Sequence, residues 1–176
     1  MAGLTSLGLV HTLLAVVALA AGLAAFFRDG AIVPGTPLGQ VYVWTTVLTC
    51  LTGFGIFQRG GFNEAHMLGV LTLAVLALAA LAHRGRLFGR AAPYVGTVGM
   101  SLTFFFHMIP GLTETFTRVP SGAPLFTGPD DPALQKTVGA FFVLFLVGAT
   151  LQVRRLRART AGSRPGPGRT PATPAP

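Results

Sequence analysis

Three residues stand out as able to do chemistry: His11, His66 and His107. Each lies in or beside an uncharged apolar run, where a polar side chain is costly and marks a functional site by default. Neutral imidazole is the commonest side-chain metal ligand. Three from separate helices would suit an open tetrahedral Zn site or a Cu site. Two of them would suffice for one haem b. Glu64 and Glu114 lie nearby, fit to act as a fourth ligand or to orient a ligating ring, although a cap and a loop role account for them equally well. A fourth histidine, His83, falls among arginines in His83-Arg84-Gly85-Arg86 and is expected as an exposed loop residue.

The elements that must position these residues are long apolar runs. The chain has 176 residues, of which only 10% are charged, against about 25% in ordinary globular chains. The charges cluster and leave five apolar spans, uncharged but for Lys136 near the start of the last: Leu4–Phe27, Leu38–Phe57, Ala65–Ala82, Ala92–Ile109 and Leu134–Val153. Each is of a length to cross a bilayer core of roughly 30 Å. The expected fold is therefore all-α, an integral membrane bundle of five transmembrane helices over residues 1–153. An Arg- and Pro-rich tail over 154–176 is expected to be disordered. The first span lacks the basic lead-in of a signal peptide and is expected to be retained. Asn63 reads as an N-cap with Glu64 in the first turn behind it. Pro110 is expected to stop or kink the fourth helix, and Gly111–Pro132 to form a long irregular loop. Tyr42 and Trp44 suit an interfacial aromatic belt. Cys50 reads as a small buried hydrophobe.

Counting from the Arg28 side of each span places His11 and His66 sixteen residues up, and His107 fifteen. That is roughly 22–24 Å at 1.5 Å per residue, so all three are expected at one depth. Small-residue stripes aim two of them inward: Gly8, Ala15, Ala18, Gly22 and Ala25 with His11, and Gly96, Gly99, Met100 and Thr103 with His107. The stripe through His66 is expected to be Gly69, Leu73, Ala77 and Ala80. Thr45, Thr46, Thr49, Thr52 and Gly53 would pack inside from the second helix, with the threonines bonding back to their own backbone. The plain alternative is that each histidine merely meets a headgroup region, which fits His66 best.

Several fragments occur in an order that resembles a bacterial membrane protein family catalogued as domain of unknown function 2306. They are His11 with its small-rich run to Gly22, Gly35-Thr36-Pro37-Leu38-Gly39-Gln40-Val41-Tyr42-Val43, and Gly61-Phe62-Asn63-Glu64-Ala65-His66. The last runs from Tyr94-Val95-Gly96 to Glu114-Thr115-Phe116-Thr117-Arg118-Val119-Pro120. The family's loop histidine before Leu-Gly is replaced here by Pro37, and the histidine after its third helix is not in register. The resemblance implies a multi-helix protein of a bacterial inner membrane and no established activity.

Soluble hydrolase motifs, phosphate loops and Cys-x-x-Cys are absent, so an enzymatic role is left open. Three functions fit: a histidine-lined metal or haem protein of the outer half, a catalytically silent subunit or scaffold of a membrane complex, or a small transporter. The apolar helix centres speak against the last. The net charge of +8 resides in loops and tail, so nucleic acid is not an expected partner, whereas anionic lipid at the tail is. Ten of the 13 basic residues fall on the side of the Arg28 turn and the tail. The positive-inside rule then puts the N-terminus outside and the tail in the cytoplasm. Reporter fusions at Gly3 and Pro176 should report opposite sides of the membrane; the same side for both would mean an even number of spans.

Overall fold

Thr5 opens the first helix by accepting a hydrogen bond from the Gly8 N–H at 3.1 Å, which satisfies one of the free donors of the first turn. The computed structural model describes residues 5–57, 61–85, 87–118 and 123–162. Five α-helices are present, and no strand occurs among the described residues. They are α1 (Ser6–Asp29), α2 (Pro37–Gly53), α3 (Glu64–His83), α4 (Ala92–Phe116) and α5 (Pro132–Gly162), with a 3-10 turn at Gly89–Ala91 before α4. Four of them, α1, α3, α4 with its preceding turn, and α5, are long and apolar enough to cross a membrane. α2 has 17 residues, about 26 Å of helix. It ends at Gly53 rather than Phe57, and two tight turns, Gly55 N–H to Thr52 O and Ile56 N–H to Gly53 O, carry the chain onward.

Local chemistry explains the boundaries. Gly30 closes α1 in the left-handed region at φ 73°, its N–H bonded to Phe26 O, a conformation only glycine adopts freely. Thr36 caps α2 ahead of Pro37. Asn63 caps α3, with Glu64 in the first turn, as expected. Asp131 caps α5, its carboxylate accepting from Ala133 N–H at 2.8 Å and Thr127 N–H at 2.9 Å. Those backbone donors, Thr127 first, hold its carboxyl below the ordinary aspartate value. The cap is therefore complete above the ordinary range and lost as pH falls through the lowered value.

Pro110 does not stop α4, and the helix of α5 does not end at Arg154. α4 runs through Pro110 to Phe116. The ring removes the N–H that would bond Phe106 O; beyond it Thr113 Oγ1 bonds Ile109 O at 2.9 Å, Leu112 is buried, and Gly111 lies against Leu19. Packing and the threonine bond hold the last turns, as they do around proline in membrane helices. α5 continues to Gly162, so the disorder expected from Arg154 does not begin there. Arg, Leu and Ala are strong helix formers, and Arg154–Ala161 is made almost wholly of them. The tail from 163, Gln58–Gly60, Arg86 and Ser121 lie outside the described residues.

The helices α1 to α4 form a ring in which each packs on its neighbours, while α2 and α4 face each other across the diagonal. α5 lies outside the ring and packs on α4 among the helices. The core is Ala18, Ala21, Ala25, Ile32, Tyr42, Leu76, Ala79 and Met100. The α1 stripe of small residues faces it as expected, with Gly8, Ala18, Gly22 and Ala25 buried. On α3 the buried face is instead His66, Thr72, Leu76, Ala79 and Ala82. α5 is tied by Gln152, which donates to Gly30 O at 3.0 Å and accepts from Ser101 Oγ at 2.9 Å.

The α1–α2 turn presses so closely on α2 that a Cβ at Gly39 would meet the Val33 carbonyl oxygen, a backbone atom with no freedom to move aside. Gly39→Ala should cost about 1–3 kcal/mol. Gly35→Ala, with open space around it, should leave the thermal unfolding midpoint in detergent unchanged.

Candidate functional site: a polar interior

The site begins with a phenol in an unexpected place. Tyr42 is fully buried at the centre of the ring rather than at an interfacial belt; Trp44, two residues on, is the exposed one. α2 aims Tyr42, Thr46 and Thr49 at the axis because these positions recur at helical spacing, and all three are buried. Across the diagonal, α4 presents Met100, Thr103 and His107, also buried. The Tyr42 hydroxyl lies 2.8 Å from Thr103 Oγ1. Thr103 gives its own proton to Met100 O at 2.8 Å, so Tyr42 is the donor between them.

His107 is 6% exposed, with its ring 6.5 Å from that of Tyr42. Its Nε2 is sealed from solvent and bonds to nothing. Thr46 Oγ1, on the opposite helix, is likewise sealed, with the Tyr42 hydroxyl as the polar group it faces. Buried polar atoms normally have partners, so the orphaned imidazole nitrogen marks this site as unusual.

His11 is half-buried where α1 meets α2. Its Nδ1 lies 3.0 Å from Thr49 O and 3.2 Å from Thr52 Oγ1. A carbonyl only accepts, so Nδ1 carries the proton and Nε2 is left as the acceptor. Thr49 and Thr52 give their own protons to Thr45 O and Leu48 O, the back-bonding expected of them. His11 is close enough to His107 and to Glu114 for their charges to interact.

His66 goes elsewhere. Its Nδ1 sits 3.0 Å from Asn63 Oδ1 within the cap of α3. Phe54, Phe57 and Phe62 clasp its ring at centroid distances of 6.4, 5.1 and 5.3 Å. Its Nε2 is sealed and unbonded. Glu64 is exposed in the first turn of α3. Glu114 is exposed and paired with Arg118 at 2.7 Å. Among the described residues, no three His, Cys, Asp or Glu side chains come together in a group able to hold a metal ion.

The reason lies in the helix ends. Gly96 sits against His83, the last residue of α3, so Ala92–Val95 extend about 6 Å beyond that helix. Counting from Ala92 therefore places His107 too high. Gly22 faces both Tyr42 and Phe104, while Gly53 faces His11. Along the axis His107 therefore lies nearer the Arg28 end than His11 does. His83 is also not a loop residue. It is half-buried, packed on Gly96, with Nδ1–H donating to Ala79 O at 3.1 Å.

The chain matches no family model, no curated protein and no solved structure.

The arrangement is a descending series of polar groups. Glu114 and His11 stand at the His66 end; Thr49, Thr46, His107, Tyr42 and Thr103 follow toward the middle. The apolar core closes the other end. Sequence reasoning found the histidines and threonines, but missed Tyr42 and its bond to Thr103. The signal was available in the i, i+4, i+7 spacing of Tyr42, Thr46 and Thr49.

The two halves of that bond should respond unequally. Tyr42→Phe removes the donor and leaves Thr103 bonded to Met100 O, at a cost of about 0.5–1.5 kcal/mol. Thr103→Val strands the phenol hydroxyl in the core, at about 1–3 kcal/mol. Thermal unfolding of the two variants in detergent measures the difference.

Proposed function

We propose that the chain is a five-pass membrane protein whose interior is a proton-accepting site, entered from the outer side and closed toward the cytoplasm. α2 with its two following turns supplies the second crossing, and the ten-to-three division of basic residues places the N-terminus outside and the tail inside. The observation that carries the reading is the sealed, unbonded Nε2 of His107, with Thr46 Oγ1 sealed on the facing helix. Ionisable groups within membrane spans commonly line ion and proton pathways. At the mouth His11 offers Nε2 as the proton acceptor, with Glu114 the nearest carboxylate. His107 is the next base inward. Below Tyr42 and Thr103 the series meets Met100, Leu76, Ala79 and Ala25, which supports a blind site rather than a through-channel.

A metal ion or haem shared by His11, His66 and His107 is not part of this proposal, because the three are not gathered. The motif order that resembles domain of unknown function 2306, and with it a bacterial inner membrane location, belongs to the proposal and adds no activity. A silent subunit of a larger complex is the second reading, favoured by the exposed apolar face of α5, including Phe142, Val143, Leu146 and Val147.

In oriented proteoliposomes, imidazole nitrogen resonances should show the protonation of His11 following the buffer on the N-terminal side. It should not follow the buffer on the tail side. A histidine that follows neither buffer, or follows the tail side, overturns the proposal. If His107→Ala changes thermal stability but leaves proton uptake intact, the silent-subunit reading gains.

A further inference from the structure

A second feature lies at the opposite end of the bundle and shares no residue with the polar interior. A groove of about 370 Å³ opens between the α1–α2 turn, the first turns of α2 and the last turn of α3. Its walls grade in character. Val43, Trp44 and Ala80 form an apolar side, and Gln40, His83 and Arg84 a polar one; no carboxylate lines it. Trp44 is 62% exposed among the described residues, an indole held at a surface. Arg84 caps α3 and makes no ion pair among the described residues. His83 turns its Nδ1–Cε1 edge onto Gly96 of α4, which directs the Cδ2–Nε2 edge away from α4. Because Nδ1–H is committed to Ala79 O, Nε2 on the neutral ring is an acceptor.

We propose that this groove binds the headgroup of an anionic phospholipid of the phosphatidylglycerol class; the proposal rests on the reading of the chain as membrane-spanning. One guanidinium, with the negative end of the α3 dipole beside it, matches a singly charged phosphodiester better than a doubly charged phosphate. Arg84 takes the phosphate oxygens in its fork of donors. The headgroup hydroxyls donate to His83 Nε2 and the Gln40 amide oxygen. The first acyl carbons run along Val43 and Trp44, where an exposed indole suits the boundary between headgroup and chain. A free anion would leave that apolar wall unused. The groove lies on the side richest in basic residues, where anionic lipid concentrates when that side faces the cytoplasm.

The test uses the full chain in vesicles of equal parts phosphatidylcholine and phosphatidylglycerol. Alkaline carbonate extraction comes first: release of the protein would sink the membrane reading itself, independently of the groove. For protein that stays embedded, native mass spectrometry of the detergent-released complex counts bound lipid of each class. Wild type should retain phosphatidylglycerol over phosphatidylcholine by about tenfold, the equivalent of about 1.4 kcal/mol. Trp44→Ala with Arg84→Ala should bring the two lipids to near parity. Replacing Arg154, Arg155, Arg157 and Arg159 by Gln should leave the preference in place. Preference that survives the groove variant but vanishes in the α5 variant overturns the proposal in favour of the basic helix end. Stripping of the lipid by inorganic phosphate overturns it in favour of a free-anion site, and an embedded wild type with no preference overturns it outright.

Discussion

A phenol hydroxyl buried in an apolar bundle must keep an acceptor, and Tyr42 finds its acceptor on the helix diagonally opposite. That one requirement organises the middle of the molecule. The ring has to occupy the bundle axis, so neighbouring positions have to be small. Gly22 is the clearest case: a Cβ there would come within 2.6 Å of Phe104 and 3.1 Å of Tyr42. Phe104 in turn meets Phe26 edge-to-face at 5.1 Å. The run of alanine and glycine on α1 is thus the complement of aromatic bulk contributed by α2 and α4, small residues letting helices approach closely.

Much of this was legible beforehand, because composition and small-residue spacing act locally. Thr5 aside, caps at Asn63 and the turns rich in Gly and Pro are short-range signals, and the inward faces of α1 and α4 and the threonines of α2 follow from helical period, whereas Tyr42 reads as an interfacial aromatic until its partner on α4 is known. The misplacements share a different origin: they depended on how far one helix extends past another. Pro110 looked like an end because a missing donor is visible in sequence while the Thr113 bond and the burial of Leu112 are not. The depth of His107 was misjudged by the few residues by which α4 overruns α3. The α3 stripe drifted to the wrong side for a related reason. With small apolar residues almost all round that helix, no polar boundary fixes the phase.

His66 and His107 show how similar residue types can acquire unlike surroundings. Both carry a sealed Nε2. Around His66 the seal is three phenylalanine rings at the mouth of a helix, and its Nδ1 works as part of a cap. Around His107 the neighbours are a tyrosine and hydroxyl-bearing helices. The first environment is the product of a loop folding over a helix start, which no periodic pattern encodes. The second is the product of two helices aiming at one axis, which periodicity does encode once the crossing partner is known.

The position of α5 bears on the order in which the molecule is assembled. The ring of α1 to α4 makes its own core, and α5 joins it through one neighbour and the Gln152 bridge. A ribosome would have released everything needed to close that ring once Thr117 had emerged, well before the last helix was made. Chains begin to fold from the N-terminal side during synthesis, so α5 would arrive as a late strut on a finished bundle. Its docking bond reaches back to Gly30, a residue some 120 positions older than Gln152 in the growing chain.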